Sequence, residues 1–237
     1  MGQVITVVSG KGGVGKSMFT ANLGGTLAQQ GKKVVLIDMD MGLRNLDIIM
    51  GLENRVVYDV ADILGGICRV KQALIRDRRF PELYLIASPQ NSEKVEITPL
   101  HMKVLCKKLK EKYDFVIIDG PAGIDEGLMN AVSGADQVII ITTPEFTAVR
   151  DADKVDRVLM ASGIMNRKVV INRLKADLIN IGILPSVSDV SDMLRSDIIG
   201  LIQEDDNIHI ATNNGIPIIL KKDTYIQENF VKIAGRL

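Results

Sequence analysis

Gly10-Lys11-Gly12-Gly13-Val14-Gly15-Lys16-Ser17 stands between an apolar run, residues 4–8, and a stretch of helical character, residues 17–30. It fits G-x-x-x-x-G-K-[ST] in full, in the strand, loop and helix context that the pattern requires. Glycines let backbone N–H groups turn inward around phosphate oxygens with no Cβ in the way, and the helix N-terminus adds partial positive charge. Lys16 then reaches the β- and γ-phosphates of a nucleotide, and the Ser17 hydroxyl is a ligand for Mg²⁺. Residues 10–15 also spell G-x-G-x-x-G, with Asp38 near the place of the ribose-binding acid of a dinucleotide site. Two features favour the phosphate loop. A lysine and a hydroxyl follow the last glycine at once, and a later apolar run, residues 115–118, ends in Asp119, similar to a Walker B carboxylate that holds Mg²⁺ through water.

Outward from the loop, short β-branched runs at residues 4–8, 33–37, 83–87, 115–118, 137–141 and 168–171 read as strands. Most are apolar continuously rather than at every second residue, which suits a sheet covered on both faces and hence mostly parallel. Residues 17–30, 99–113 and 147–162 are long enough for crossover helices and lack an internal proline. In the last, Val149, Ala152, Val155, Val158 and Leu159 form one stripe, while Arg150, Asp151, Asp153 and Arg157 face elsewhere. This rhythm predicts one α/β domain over residues 1–237, a doubly wound, mostly parallel central sheet flanked by helices, with its ligand beyond the carboxyl ends of the strands. Punctuation thins beyond Asn172, and boundaries there are the least defined.

The composition narrows the function. The 237 residues include 29 basic and 29 acidic ones, so no long-range field draws the chain to nucleic acid, and no nucleic-acid partner is expected. Two cysteines, Cys68 and Cys106, without Cys-x-x-Cys spacing, and two histidines argue against a thiolate or imidazole metal cage and for a reducing cytoplasm. No apolar run approaches the roughly 18 residues of a membrane span.

Asp38 and Asp40 close the second strand two residues apart, so both carboxylates point to one face in extended chain. Beside a metal nucleotide, one can orient the attacking water and the other the Mg²⁺ hydration shell; a turn-forming role before Gly42 is the alternative. Asn172-Arg173-Leu174-Lys175 ends a strand but lacks the Asn-Lys-x-Asp pattern of GTPases, which favours adenine; Asn172 as a simple turn cap stays open. Lys11 has no necessary role in a one-chain phosphate cradle, so it is either a solvated charge or something more.

Lys11-Gly12-Gly13-Val14-Gly15-Lys16-Ser17 resembles the deviant Walker A family of P-loop ATPases. Asp38-Met39-Asp40-Met41-Gly42-Leu43-Arg44-Asn45-Leu46-Asp47, residues 51–59, residues 119–124 and residues 144–153 are similar to motifs of its bacterial MinD branch. The resemblance implies an Mg-dependent ATPase whose ATP-bound sandwich dimer spatially regulates cell division through septum placement, with hydrolysis separating the dimer. It implies Lys11, Lys16 and Asp40 as catalytic, with Lys11 acting in trans on the partner's nucleotide and Asp40 orienting water. Nucleotide would be held by Gly10, Lys11, Gly12, Gly13, Val14, Gly15, Lys16, Ser17, Met18, Asn172 and Arg173, with Asn172 at the adenine. Mg²⁺ would be held by Ser17, with Asp38 and Asp119 nearby. The implied partners are a MinC-like inhibitor and a MinE-like stimulator, for whose surface Arg150, Asp151 and Asp153 are candidates. The implied location is cytoplasmic, peripheral at the inner face of the cell membrane in the full-length form.

Three departures temper the likeness. Met18 stands where the family usually has a threonine on the α-phosphate, a loss of about 1.5–3 kcal/mol or roughly tenfold to hundredfold in affinity. Gln203-Glu204-Asp205 replaces Pro-Glu-Asp on the base side. The family's basic amphipathic C-terminal helix is absent from a chain that stops at Gly235-Arg236-Leu237, so weak lipid binding is expected of this polypeptide. Rival functions are a partition or flagellar-placement ATPase, a metabolic enzyme on the same scaffold, and a nucleotide-binding module with little turnover. Cys68 and Cys106 lack the spacing of a bridging cluster.

Overall fold

The computed structural model describes residues 2–41, 44–89 and 97–237. Gly42 and Leu43, part of the motif that favours the MinD branch, lie outside the described residues. Eight strands, β1 (Gln3–Ser9), β2 (Val34–Asp38), β3 (Ile75–Asp77), β4 (Leu83–Ile86), β5 (Phe115–Ala122), β6 (Gln137–Thr142), β7 (Arg167–Leu174) and β8 (Asp197–Gln203), form one sheet. Their order is β3-β4-β2-β5-β1-β6-β7-β8, parallel throughout except for β3, which runs antiparallel to β4 at the edge. From β1 the chain winds first to one side through β2 to β4, returns at β5, and continues to the other side through β6 to β8. The reversal leaves a crevice at the carboxyl end of β1, where open α/β sheets bind ligands.

The continuous apolar runs are explained by two covered faces. Ile5, Val7, Leu36, Ile117 and Ile139 point into a core shared with the helices Lys16–Gln29 and Tyr225–Ala234, where the Phe19 and Phe230 ring centroids are 5.7 Å apart. Their neighbours Val4, Val35, Ile37, Val116 and Ile118 point to the opposite face, onto the helix Pro99–Leu109. Val8, Val138 and Ile140 meet Val149, Ala152, Val155 and Leu159 of the helix Phe146–Ala161, the stripe anticipated from its sequence.

The structure corrects four expectations. β3 and β8 are strands outside the predicted set: β3 has three residues, and in β8 Gly200 separates the apolar pairs Ile198-Ile199 and Leu201-Ile202. The helix expected over residues 99–113 ends at Leu109. β7, expected over residues 168–171, continues to Leu174 across a bulge, where Arg173 has φ 55° and the register with β8 shifts between Ile171 and Leu174. Asp40 lies beyond β2, which closes at Asp38.

Candidate functional site

β1 delivers the glycine loop to the crevice, and the helix Lys16–Gln29 leads away from it with no side-chain cap, so its first N–H groups remain free for a ligand. Two glycines set the loop's course. Gly15 has φ +94°, and a Cβ there would come 2.2 Å from Asn172 Nδ2. Gly10 lies so close to the helix Phe146–Ala161 that a Cβ would sit 2.3 Å from the carbonyl carbon of Asp151. At Gly12 and Gly13 a Cβ would meet nothing within 4 Å, and both residues border open space.

That space is a cavity of about 370 Å³. Its floor is the loop with Lys16, Ser17 and Met18, and Asp40, Asn172 and Arg173 lie on its walls. Lys16 Nζ donates to Asp119 Oδ1 at 2.9 Å and to Asp40 Oδ2 at 3.5 Å. Burial works against the Lys16 ammonium, yet Asp119, Asp40 and Asp38 overcome it and raise its pKa. Asp119 is fully buried; burial raises its pKa, opposed by Lys16 and Ser17. One of its oxygens, Oδ2, is buried without a partner.

Asp38, paired in register with Asp119 across β2 and β5, performs a different service. Its Oδ1 accepts from Asp40 N at 2.9 Å, and its Oδ2 accepts from Asn45 N at 3.3 Å and Leu46 N at 3.2 Å. It thereby fixes both the position of Asp40 and the start of the helix Leu46–Ile49. Burial and the adjacent Asp119 push its pKa up to about 7 despite those donors and Lys16. The turn-forming alternative thus describes what this carboxylate touches.

Asn172 is buried and donates from Nδ2 to Val14 O at 2.8 Å, tying β7 to the glycine loop. Lys11 is exposed and takes no part in lining the cavity. The structure therefore brings Lys16, Ser17, Asp38, Asp40 and Asp119 together and keeps Lys11 outside their group.

Several lining residues escape a reading of the sequence. Ile208, His209 and Thr212 come from the helix Asp206–Asn213, and Asn45 and Ile49 from the opposite wall. The helix is capped by Asp205, which accepts from Asn207 N at 2.7 Å and from the Tyr225 hydroxyl, so the Gln203-Glu204-Asp205 loop is well anchored. Recognising β8 as a strand would have pointed to them, because residues just past a strand's carboxyl end line such crevices. Thr20 was also missed: its hydroxyl lies 3.0 Å from Lys16 O and 3.3 Å from Asp119 Oδ1.

Among the described residues no three His, Cys, Asp or Glu side chains are grouped to hold a metal by themselves. The hydroxyl of Ser17 and the orphaned oxygen of Asp119 are hard oxygen donors, which suit Mg²⁺ when nucleotide phosphates and water supply the remaining ligands.

The sequence matches the AAA domain family over residues 2–160, more than half of the chain. It is 46% identical over 238 residues to the septum site-determining protein MinD of Synechocystis sp., covering 100% of this chain and 90% of that protein. The corresponding Bacillus subtilis protein is 44% identical over 239 residues, covering 100% and 89%. Among solved structures, MinD in a MinC:MinD cell division protein complex from Aquifex aeolicus superposes with a TM-score of 0.92 at 41% identity, over 99% of this chain and 95% of that one. A septum site-determining MinD from Pyrococcus horikoshii complexed with Mg-ADP gives 0.89 at 30% identity, over 100% and 96%.

Proposed function

Because this chain belongs to the MinD family of septum site-determining ATPases, we propose that it is an ATP-hydrolysing switch that places the division septum. The observation that carries the reading is the division of the loop's two lysines. Lys16 sits among Asp40 and Asp119 in the cavity, whereas Lys11 is exposed and does not line it. A cation that does not serve its own subunit's pocket is free to serve a neighbour's. The neighbouring surface suits a second copy: Ile124, which follows the bond from Gly123 N to Ser9 O, and Phe146, on the helix against Gly10, are 52% and 61% exposed. Burying them between two subunits supplies apolar contact beside the phosphates.

The nucleotide's phosphates occupy the open concavity at Gly12 and Gly13 and accept from loop amides and Lys16. That draws Lys16 from Asp119 and Asp40, and the released Asp40 carboxylate orients the attacking water. Ser17 and Asp119 would hold Mg²⁺, with Asp38 nearby, and the ion would supply positive charge to the phosphate oxygens. Asn172, with Arg173 beside it, keeps the loop in shape next to the adenine. Charge stabilisation by the partner's copy of Lys11 follows the logic of an arginine finger.

A MinC-like inhibitor is the partner class that the Aquifex aeolicus complex supports, and a MinE-like stimulator belongs to the same proposal. Arg150, Asp151 and Asp153 are the candidate contacts; Asp151 is engaged by Lys154 at 3.0 Å and Asp153 by Arg157 at 2.7 Å. Peripheral membrane attachment is likewise proposed from the family. Among the described residues no helix is long and apolar enough to cross a bilayer.

Light scattering in Mg-ATP against Mg-ADP tests the switch. The expected result is a dimer only with the triphosphate, abolished in Lys11→Ala although the variant still binds nucleotide as a monomer. A Lys11→Ala protein that dimerises with Mg-ATP as the parent does refutes the trans role.

A further inference from the structure

We propose that Arg79 is a positioning residue that sets the width of the nucleotide cavity by clamping the far ends of its two opposing walls. The inference rests on the nucleotide reading of the cavity. One wall is the short helix Leu46–Ile49, which presents Asn45 and Ile49; the other is the helix Asp206–Asn213, which presents Ile208 and Thr212. Both line the cavity into their last turns, and the residues that follow them meet. Gly51, at φ +59°, and Gly215, at φ +64°, pack so closely that a Cβ on Gly51 would lie 2.7 Å from Gly215 O.

One guanidinium closes this junction. Arg79 Nη1 donates to Gly215 O at 2.8 Å, and Nη2 donates to Met50 O, so the same planar group binds a carbonyl just beyond the end of each wall. Arg79 is itself held by Asp77, which accepts from Nε at 3.0 Å and from Nη2 at 2.7 Å. Asp77 is 2% exposed, and its fork with Arg79 fixes the plane of the guanidinium. A cation at two helix C-termini is favoured by both backbone dipoles, and only arginine's fixed array of donors serves a carboxylate and two carbonyls at once.

The first wall is gripped at its other end as well, because Asp38 accepts from Asn45 N and Leu46 N. The helix Leu46–Ile49 is therefore suspended between a carboxylate next to the phosphate site and a guanidinium outside it. None of the groups bonded to Arg79 lines the cavity, so its effect on nucleotide passes through the spacing of the walls. The helix carrying Lys16 and the strand carrying Asp119 are not bonded to it. Loss of the clamp should weaken nucleotide binding and spare the chemical step.

The test uses the intact chain with Arg79→Ala, Arg79→Lys and, as a control on the same edge, Arg76→Ala. Binding is read with a fluorescent ATP analogue, turnover by steady-state phosphate release, and wall mobility by amide hydrogen exchange. Arg79→Lys is expected to raise KM for ATP about tenfold with kcat within about twofold, the scale of one lost charged hydrogen bond. Arg79→Ala should raise it further, and Arg76→Ala should match the parent. Exchange should quicken together in residues 46–50 and 206–215 and stay unchanged in Pro99–Leu109. If Arg79→Ala does not fold, the lysine variant decides. An unchanged KM in a folded Arg79→Lys protein, a fall confined to kcat, or faster exchange in one wall only overturns the clamp. Failure of the parent chain to bind the analogue at all sinks the nucleotide reading itself, and this proposal with it.

Discussion

Lys16 and its three carboxylates are the smallest unit whose chemistry can be argued. Lys16 pairs with Asp119 and Asp40, while Asp38 and Asp119 sit side by side with only that one cation near them, and burial raises the pKa of both carboxyls. Lys16→Ala removes that counter-charge and the phosphate contact together, and should abolish binding of the fluorescent ATP analogue. Asp38 adds a pH dependence in the nucleotide- and metal-free protein. Its pKa rises from 3.8 to about 7 on folding, so its contribution to stability is complete below the lower value and lost as pH rises through the upper. Urea denaturation with a chelator present should therefore show stability declining from pH 5 to pH 8, and Asp38→Asn should flatten that slope. An identical slope in the variant would assign it to other groups. Met18 offers a converse test. Met18→Thr restores a hydroxyl at the phosphate and should tighten ATP binding by about tenfold; titration showing no gain would mean that backbone donors already satisfy the α-phosphate.

At the scale of elements, the loop is shaped by what packs behind it. The helix Phe146–Ala161 approaches β1 so closely at Asp151 that only glycine fits at position 10, whereas Gly12 faces open space. Gly10→Ala should therefore destabilise the nucleotide-free protein by about 1–3 kcal/mol, the cost of forcing a methyl group into packed backbone. For a chain of this size that lowers the melting temperature by roughly 2–4 °C per kcal/mol. Gly12→Ala should leave the melting temperature nearly unchanged and reduce nucleotide binding instead, since its Cβ enters the phosphate space. Equal melting temperatures for the two variants would contradict the contact. The same closeness gives the helix that carries Arg150, Asp151 and Asp153 direct backbone contact with the phosphate loop.

For the molecule as a whole, two apolar layers seal the sheet and leave the carboxyl ends of its strands as the working edge. Cys106, 1% exposed beneath one layer, has its thiol pushed up to about 12 by burial, with Asp136 adding to the effect. Cys68 is partly exposed, and burial together with Asp62 and Asp59 raises its thiol as well. At pH 8 iodoacetamide should modify Cys68 slowly and Cys106 only on global unfolding, as peptide mass mapping would show. Rapid loss of both thiols from the folded protein would mean that this layer opens locally.

The glycine loop, the apolar runs and Asp119 were legible in the chain because each is local: the loop's spacing, the double-faced strands and a carboxylate directly after an apolar run are patterns within a few residues, although β5 continues past Asp119 to Ala122. The resemblance carried by residues 38–47 and 144–153 reached the family by the same local route, and the comparisons agree with it. β3 stayed hidden because three residues carry too short a pattern, and β8 because Gly200 splits its apolar residues into two pairs. With β8 went the Ile208, His209 and Thr212 wall. Sequence likewise could not divide the labour of Asp38 and Asp40, two carboxylates of the same spacing, because the division comes from which backbone amides fold back onto the first of them. Nor could it join Arg79 to Met50 and Gly215, for the guanidinium bonds carbonyls 29 and 136 positions away. Local order follows from the chain's own covalent spacing, whereas these long-range assignments exist only once packing has brought distant polar groups out of water and obliged each to find a partner.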